Sequence, residues 1–173
     1  MQQVYEALSR YLKGKKVAFI GAGVSHKQCI EQFVAMGAQV TLCDQKPDLE
    51  AFGDYAETIR RLGIRLSLGK DYMQGFKGQD IIMRTPGFEY FTPALQEAIR
   101  EGAVCTSEME LFFEYCPCQI VAVTGSDGKT TTTTLIAKFY EAAGRKVWLG
   151  GNIGRALLPI VCEVEKGMWP WWS

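Results

Sequence analysis

Lys129 is the residue of this chain best equipped for phosphate chemistry. It stands in the run Val121-Ala122-Val123-Thr124-Gly125-Ser126-Asp127-Gly128-Lys129-Thr130-Thr131-Thr132, where an apolar β-type stretch enters a loop with two glycines. Beyond the loop, Leu135, Ile136, Phe139 and Tyr140 recur at helical spacing. Strand, glycine loop, Lys-Thr and helix in that order build a phosphate cradle. Glycines let backbone N–H groups converge on the anion, and the helix N-terminus adds partial positive charge. Lys129 would neutralise the outer phosphates and the Thr130 hydroxyl would hold Mg²⁺. Val123 occupies the position of the standard pattern's first glycine. The plain alternative is an ordinary strand-turn-helix with a glycine-rich turn.

A second glycine turn lies near the start. Lys16–Ile20 reads as a buried strand running into Gly21-Ala22-Gly23-Val24-Ser25, followed by a helix whose apolar side is Cys29, Ile30, Phe33, Val34 and Met36. Gly37 stops that helix, and a strand from Gln39 to Cys43 ends at Asp44. A βαβ unit with a glycine turn and a following acid is the plan of a dinucleotide site. The third glycine of that fingerprint is missing, with His26 in its place. NAD or FAD, a different nucleotide, and a purely structural turn therefore all stay open, with the different nucleotide preferred. His26, at a helix start, is expected to be solvated or capping rather than catalytic.

The remaining elements position these two turns. Val4, Leu8, Tyr11 and Leu12 give the opening segment one apolar helical face. A helix is expected over Ala51–Leu62, a strand over Ile64–Leu68 and another over Asp80–Arg84. Thr85-Pro86-Gly87 then falls at the carboxyl end of a strand, where open α/β sheets place ligands. Thr92 with Pro93 starts a further helix that Gly102 ends, Ala103–Thr106 is a strand, and Ser107 with Glu110 forms a capping box. After a brief linker at Tyr115-Cys116-Pro117-Cys118 the phosphate-loop strand begins. A helix to Ala143, a strand over Lys146–Leu149 and a third glycine turn, Gly150-Gly151-Asn152-Ile153-Gly154, complete the pattern. The expected fold class is α/β, a Rossmann-like parallel-sheet domain (1–116) followed by the first part of a P-loop α/β domain (117–173).

Bulk composition excludes several classes. The 173 residues are 47% hydrophobic, enough for a packed core, and 19 basic residues balance 19 acidic ones. Neither a nucleic acid nor a membrane surface is thus expected as the main partner. No apolar run is long enough to span a bilayer, and Met1–Gly14 is too charged for a secretory signal. The six cysteines lack framework or metal-site spacing. Cys116 and Cys118 have no second pair, so reduced thiols are the expectation.

The segment Gly167-Met168-Trp169-Pro170-Trp171-Trp172-Ser173 stands apart, with three of the four tryptophans in the last five residues. Met and Trp have single codons, so the reverse translation is nearly forced. Read from the last base of a Gly167 codon ending in G, with Ser173 beginning AG, it gives Asp-Val-Ala-X-Val-Glu, a good strand ending in an acid. A frameshift within a second domain is the expectation. An in-frame stop at the genomic locus, without homologous coding in another frame, would end it.

Together these motifs resemble the Mur ligases of peptidoglycan synthesis, a family of ATP-dependent amide-forming ligases. The resemblance rests on Gly21-Ala22-Gly23-Val24-Ser25, Asp44, Thr85-Pro86-Gly87, Ser107-Glu108-Met109-Glu110-Leu111, the loop from Val123 to Thr131, and Gly150-Gly151-Asn152-Ile153-Gly154. It implies cytoplasmic work in cell wall biogenesis, linked to cell shape and division, on the branch that joins D-glutamate to UDP-N-acetylmuramoyl-L-alanine. The first domain would hold the UDP part of that substrate, not NAD. Gly23, Val24 and Ser25 match positions at the diphosphate, Asp44, Gln45 and Lys46 those around uracil and ribose, and Thr85, Pro86 and Gly87 complete the pocket. Family members often carry Thr and Arg where this chain has Gln45 and Lys46, and a lysine offers uracil no planar face. Asn152 matches an asparagine that reaches the nucleotide-sugar from the second domain. Gly125, Ser126, Asp127, Gly128, Lys129, Thr130 and Thr131 would hold ATP, with Lys129 as the catalytic lysine and Thr130 on Mg²⁺. The family's later glutamate, histidine, carbamylated lysine and third domain have no counterpart in this sequence, so the chain alone is expected not to ligate. The short second unit is expected to lean on the first domain, pair with a second chain as a dimer, or stay partly disordered.

Overall fold

A computed structural model describes residues 2–150, 157–161 and 169–172. Helix α1 (Gln2–Leu12) precedes β1 (Lys16–Ile20), α2 (Val24–Ala35), β2 (Gln39–Asp44), α3 (Tyr55–Leu62) and β3 (Arg65–Leu68). Then come β4 (Ile81–Met83), α4 (Pro93–Arg100), β5 (Val104–Thr106) and α5 (Glu108–Tyr115). The five strands form one parallel sheet in the order β3-β2-β1-β4-β5.

Alternation along the strands divides the core into two faces, as a period of two requires. Val17 and Phe19 of β1 and Ile81 and Met83 of β4 pack with Leu8, Leu12, Phe33 and Phe112 on one side. Ala18, Ile20 and Ile82 pack with Tyr72, Phe76, Leu95 and Ala98 on the other. Pro93 opens α4 at its first turn, and the Ser107 hydroxyl caps α5 by accepting the Glu110 N–H at 3.3 Å.

One local expectation needs correction, and one segment was not anticipated. The helix expected over Ala51–Leu62 is broken into a 3-10 turn (Glu50–Phe52) and α3, because Gly53 between them takes φ +58°. The stretch Gly69–Phe76 is a kinked 3-10 segment that buries Tyr72 and Phe76. Its Gly75 lies against β2 and β3 so closely that an added Cβ would sit 2.5 Å from Cys43 Sγ.

Beyond α5, β6 (Val121–Ala122) leads into α6 (Lys129–Ala142), β7 (Val147–Gly150), α7 (Leu158–Val161) and β8 (Trp169–Trp172). Their sheet is parallel in the order β6-β8-β7. The tryptophan-rich stretch set apart by composition is thus paired by backbone on both sides. Helix α7 packs on the first sheet's helices: Leu157, Leu158, Ile160 and Val161 join the cluster of Leu8, Phe33 and Phe112. The second unit leans on the first.

Candidate functional site

The strand order reverses direction between β1 and β4, and the carboxyl ends of these strands open the crevice that such sheets use for ligands. The β1–β2 and β1–β4 registers bring the turn after Ile20, the acid after Cys43 and the turn after Met83 to one edge. Of the residues expected to bind the first ligand, Gly23, Val24, Ser25, Asp44, Gln45, Thr85, Pro86 and Gly87 therefore share this mouth. Gly21 takes φ +76° and donates its N–H to the Cys43 carbonyl at 2.8 Å, so β1 stays tied to β2 at the rim. Gly23 caps α2 from an extended backbone, and Val24, the first helical residue, is 74% exposed. The open N–H groups of that first turn suit a phosphate.

Asp44 Oδ1 accepts the Lys46 N–H at 3.0 Å, and Oδ2 lies 3.7 Å from where a Cβ on Gly21 would stand. Lys46 is also held elsewhere. Its ammonium donates to the Ala51 carbonyl at 2.5 Å and sits 4.5 Å over the Phe52 ring, against the 3-10 turn. After β4, Arg84 donates its N–H to Thr106 O, and the Phe88 N–H closes a turn on Thr85 O at 3.1 Å. The Arg84 guanidinium lies 3.6 Å from Glu110 Oε1 and 5.9 Å from the Tyr90 ring centre. Sequence reasoning passed over this arginine, although its place just before Thr85-Pro86-Gly87 marks it.

His26 overturns an expectation. Rather than solvated, it is buried beneath the first turn. Its Nδ1–H donates to the Gly21 carbonyl at 2.9 Å, and its ring meets Phe19 edge-on at 5.2 Å. Burial lowers its pKa below the usual imidazole value, against the opposing pull of the Gly21 carbonyl and Glu108. The imidazole stays neutral and braces the turn from below. The signal was its position: the residue at the fingerprint's third glycine faces the sheet.

The second mouth is the phosphate loop. Gly128 takes φ +74° as the N-cap of α6, a conformation that favours glycine. The first intrahelical bond runs from Thr132 N–H to Gly128 O, so the N–H groups of Lys129, Thr130 and Thr131 have no acceptor within the helix. The Lys129 ammonium closes the loop on itself, donating to Gly125 O at 2.6 Å and Ser126 O at 3.1 Å. Gly125, Ser126, Asp127, Thr130 and Thr131 are exposed around it. Open N–H groups, a lysine ammonium beside them and an exposed threonine hydroxyl fit a phosphate chain with Mg²⁺. Among the described residues no cluster of three His, Cys, Asp or Glu could hold a metal by itself. A Mg²⁺ held by one hydroxyl and phosphate oxygens needs no such cluster.

The segment 157–158 is tied to the first domain through one carboxylate. Glu108 Oε1, at the start of α5, accepts the N–H of Leu157 at 2.7 Å and of Leu158 at 2.9 Å. Gln32 Nε2 of α2 donates to Pro159 O at 2.6 Å. The Leu157 side chain presses on Gly150 at the end of β7, where an added Cβ would meet Leu157 Cγ at 2.6 Å. Gly150 and Leu157 are therefore in contact, next to the carboxylate that holds Leu157. Asn152 itself lies outside the described residues, with the rest of 151–156.

Residues 123–164 match the Mur ligase middle domain. The chain is 47% identical over 155 residues to UDP-N-acetylmuramoylalanine--D-glutamate ligase of Acetivibrio thermocellus, covering 90% of this chain and 32% of that protein. It is 40% identical over 166 residues to the ligase of the same name from Clostridium novyi, covering 96% of this chain and 36% of that one. The chain thus spans about a third of the length of these curated relatives. Among solved structures, a murein peptide ligase from Psychrobacter arcticus superposes over 92% of this chain and 38% of its own, with TM-score 0.50 at 18% identity. A pseudomurein peptide ligase type C from Methanothermus fervidus covers 92% and 33%, with TM-score 0.51 at 21% identity. These two likenesses speak for the fold alone. On the sequence matches, the chain belongs to the Mur ligase family.

Proposed function

We propose that the chain is the N-terminal part of an ATP-dependent ligase that joins D-glutamate to UDP-N-acetylmuramoyl-L-alanine in the cytoplasm, and that this part alone does not turn over. The boundary falls at the linker, with 1–116 as the UDP-substrate domain and 117–173 as the start of the ATP domain. One observation carries the assignment. A match covering 96% of the chain leaves too few residues outside it to omit either mouth, from Gly23 to Thr131.

In this proposal the α2 N-terminus, with Val24 and Ser25, receives the diphosphate, and Asp44, Gln45 and the Thr85-Pro86-Gly87 turn bound the nucleoside. Lys46 contributes through its backbone, since its ammonium is engaged at Ala51. At the second mouth Lys129 exchanges its two carbonyl partners for phosphate oxygens. The α6 N–H groups align the phosphate chain and Thr130 presents its hydroxyl to Mg²⁺. ATP, when bound, supplies the phosphoryl group that activates a carboxylate for attack by an amine. The protein's part is positioning and charge neutralisation.

Calorimetric titration tests the proposal. UDP and UDP-N-acetylmuramoyl-L-alanine should bind the chain and NADH should not, with no ADP formed when ATP and D-glutamate are added. NADH binding without UDP binding would instead make the first mouth a pyridine-nucleotide site. ATP turnover without any amino acid would make the chain an ATPase.

A further inference from the structure

The linker between the two sheets carries a feature that ligase chemistry does not use. Cys116 closes α5 by donating its N–H to Phe112 O at 2.9 Å, and its extended backbone (φ −66°, ψ 119°) is what a following proline requires. Pro117 turns the chain so that the Cys116 and Cys118 sulfurs lie 3.5 Å apart, hydrogen-bonded and both partly exposed. The other described cysteines differ. Cys29 and Cys43 are fully buried, and burial pushes their thiols up, Cys43 to about 12. Cys105 is partly exposed but has no thiol neighbour among the described residues.

We propose that Cys116 and Cys118 form a dithiol modification site that a low-molecular-weight disulfide oxidises to an intrachain 116–118 bridge. The Cys116 sulfur attacks one sulfur of the small disulfide and expels the first small thiol, leaving a mixed disulfide on Cys116. Cys118 then loses its proton, attacks the Cys116 sulfur and expels the second thiol. Two protein thiols are oxidised and one small disulfide is reduced to two thiols, which carry away both protons. Burial and the bond to Cys116 push the Cys118 thiol up; that bond is lost once Cys116 is a mixed disulfide, and the Cys118 sulfur, 3.5 Å away, is placed to resolve it. Closing the bridge brings the sulfurs from 3.5 Å to about 2 Å and tightens the chain between α5 and β6. A bridge across a single intervening residue is strained, hence easily reduced, which makes the modification reversible.

The test uses the whole chain, oxidised glutathione as the probe, and alkylation followed by tryptic mass spectrometry. The peptide from Glu101 to Lys129 holds Cys105, Cys116 and Cys118 together. The expected product has lost two hydrogens and two of its three alkylation sites, with fragmentation placing the remaining alkyl group on Cys105. Dithiothreitol should restore all three sites. Cys118→Ser should trap a glutathione adduct on Cys116, and Cys105→Ser should leave the bridge unchanged. Alkylation at all three cysteines after oxidation, a lasting glutathione adduct in the unsubstituted chain, or a bridge involving Cys105 would each overturn the proposal.

Discussion

Replacing Glu108 by alanine should loosen α7 on the first domain while leaving the five-stranded sheet intact. One carboxylate oxygen accepts two backbone N–H groups, at 2.7 and 2.9 Å. Removing an ionised acceptor typically costs about 1.5–3 kcal/mol per bond, but shared bonds on one oxygen are not additive, so about 2–4 kcal/mol is the expected total. At about 1.4 kcal/mol per factor of ten, local opening of residues 157–161 should become roughly 30- to 700-fold more frequent. Gln32 still holds Pro159 O, and Leu158, Ile160 and Val161 still pack on the core, so the segment should loosen rather than leave. Native-state amide hydrogen exchange reads this directly, because local opening and global unfolding separate by their free energies. Glu108→Gln keeps a neutral acceptor and should retain most of the protection. Unchanged exchange at 157–161 in Glu108→Ala, or equal losses throughout β1–β5, would refute the view that this carboxylate clamps α7 at its start.

Three further outcomes follow from the same contacts. Gly150→Ala would drive a methyl into Leu157 and should lower stability by about 1–3 kcal/mol in thermal denaturation; Leu157→Ala in the same chain should recover part of that loss, and strict additivity would show that the two do not touch. Lys129→Ala should weaken Mg·ATP binding by about a hundredfold, as losing a charge-assisted partner of phosphate implies, with the melting temperature nearly unchanged; equal calorimetric affinity would remove Lys129 from the site. The lowered pKa of His26 means that the unfolded chain takes up a proton before the folded one as pH falls through about 6.5. Stability should therefore be full above that pH and decline below it toward the folded pKa. His26→Phe should flatten this part of the profile in denaturant titrations; an unaltered slope would show that another group causes it.

Much of this architecture could be read from the chain because local signals and global fold agree. Lys16–Ile20, running from a charged rim into an apolar run, could only be a buried strand. Gly-Lys-Thr after an apolar stretch announced the α6 cradle. The failures share a cause: tertiary contacts overrode local pattern. Helical spacing continued through Gly53, but its left-handed backbone broke the helix. Nothing periodic marked Gly69–Phe76, whose form follows from Tyr72 and Phe76 reaching the core and Gly75 approaching Cys43. His26 looked like a surface residue because polarity was weighed before its place facing the sheet. The Glu108 clamp joins residues 49 and 50 positions apart, a relation no local spacing reveals. The tryptophan run stood out by composition, which carries no sign that its backbone pairs with β6 and β7.

The central claim is that two glycine turns receive two different phosphorylated ligands. Amide chemical-shift mapping of the ¹⁵N-labelled chain tests it most directly. UDP should shift Val24, Ser25 and Gly87 and leave Gly128 to Thr131 still, whereas Mg·ATP should do the reverse. Both compounds moving the same set of amides, or UDP moving neither Ser25 nor Gly87, would contradict it.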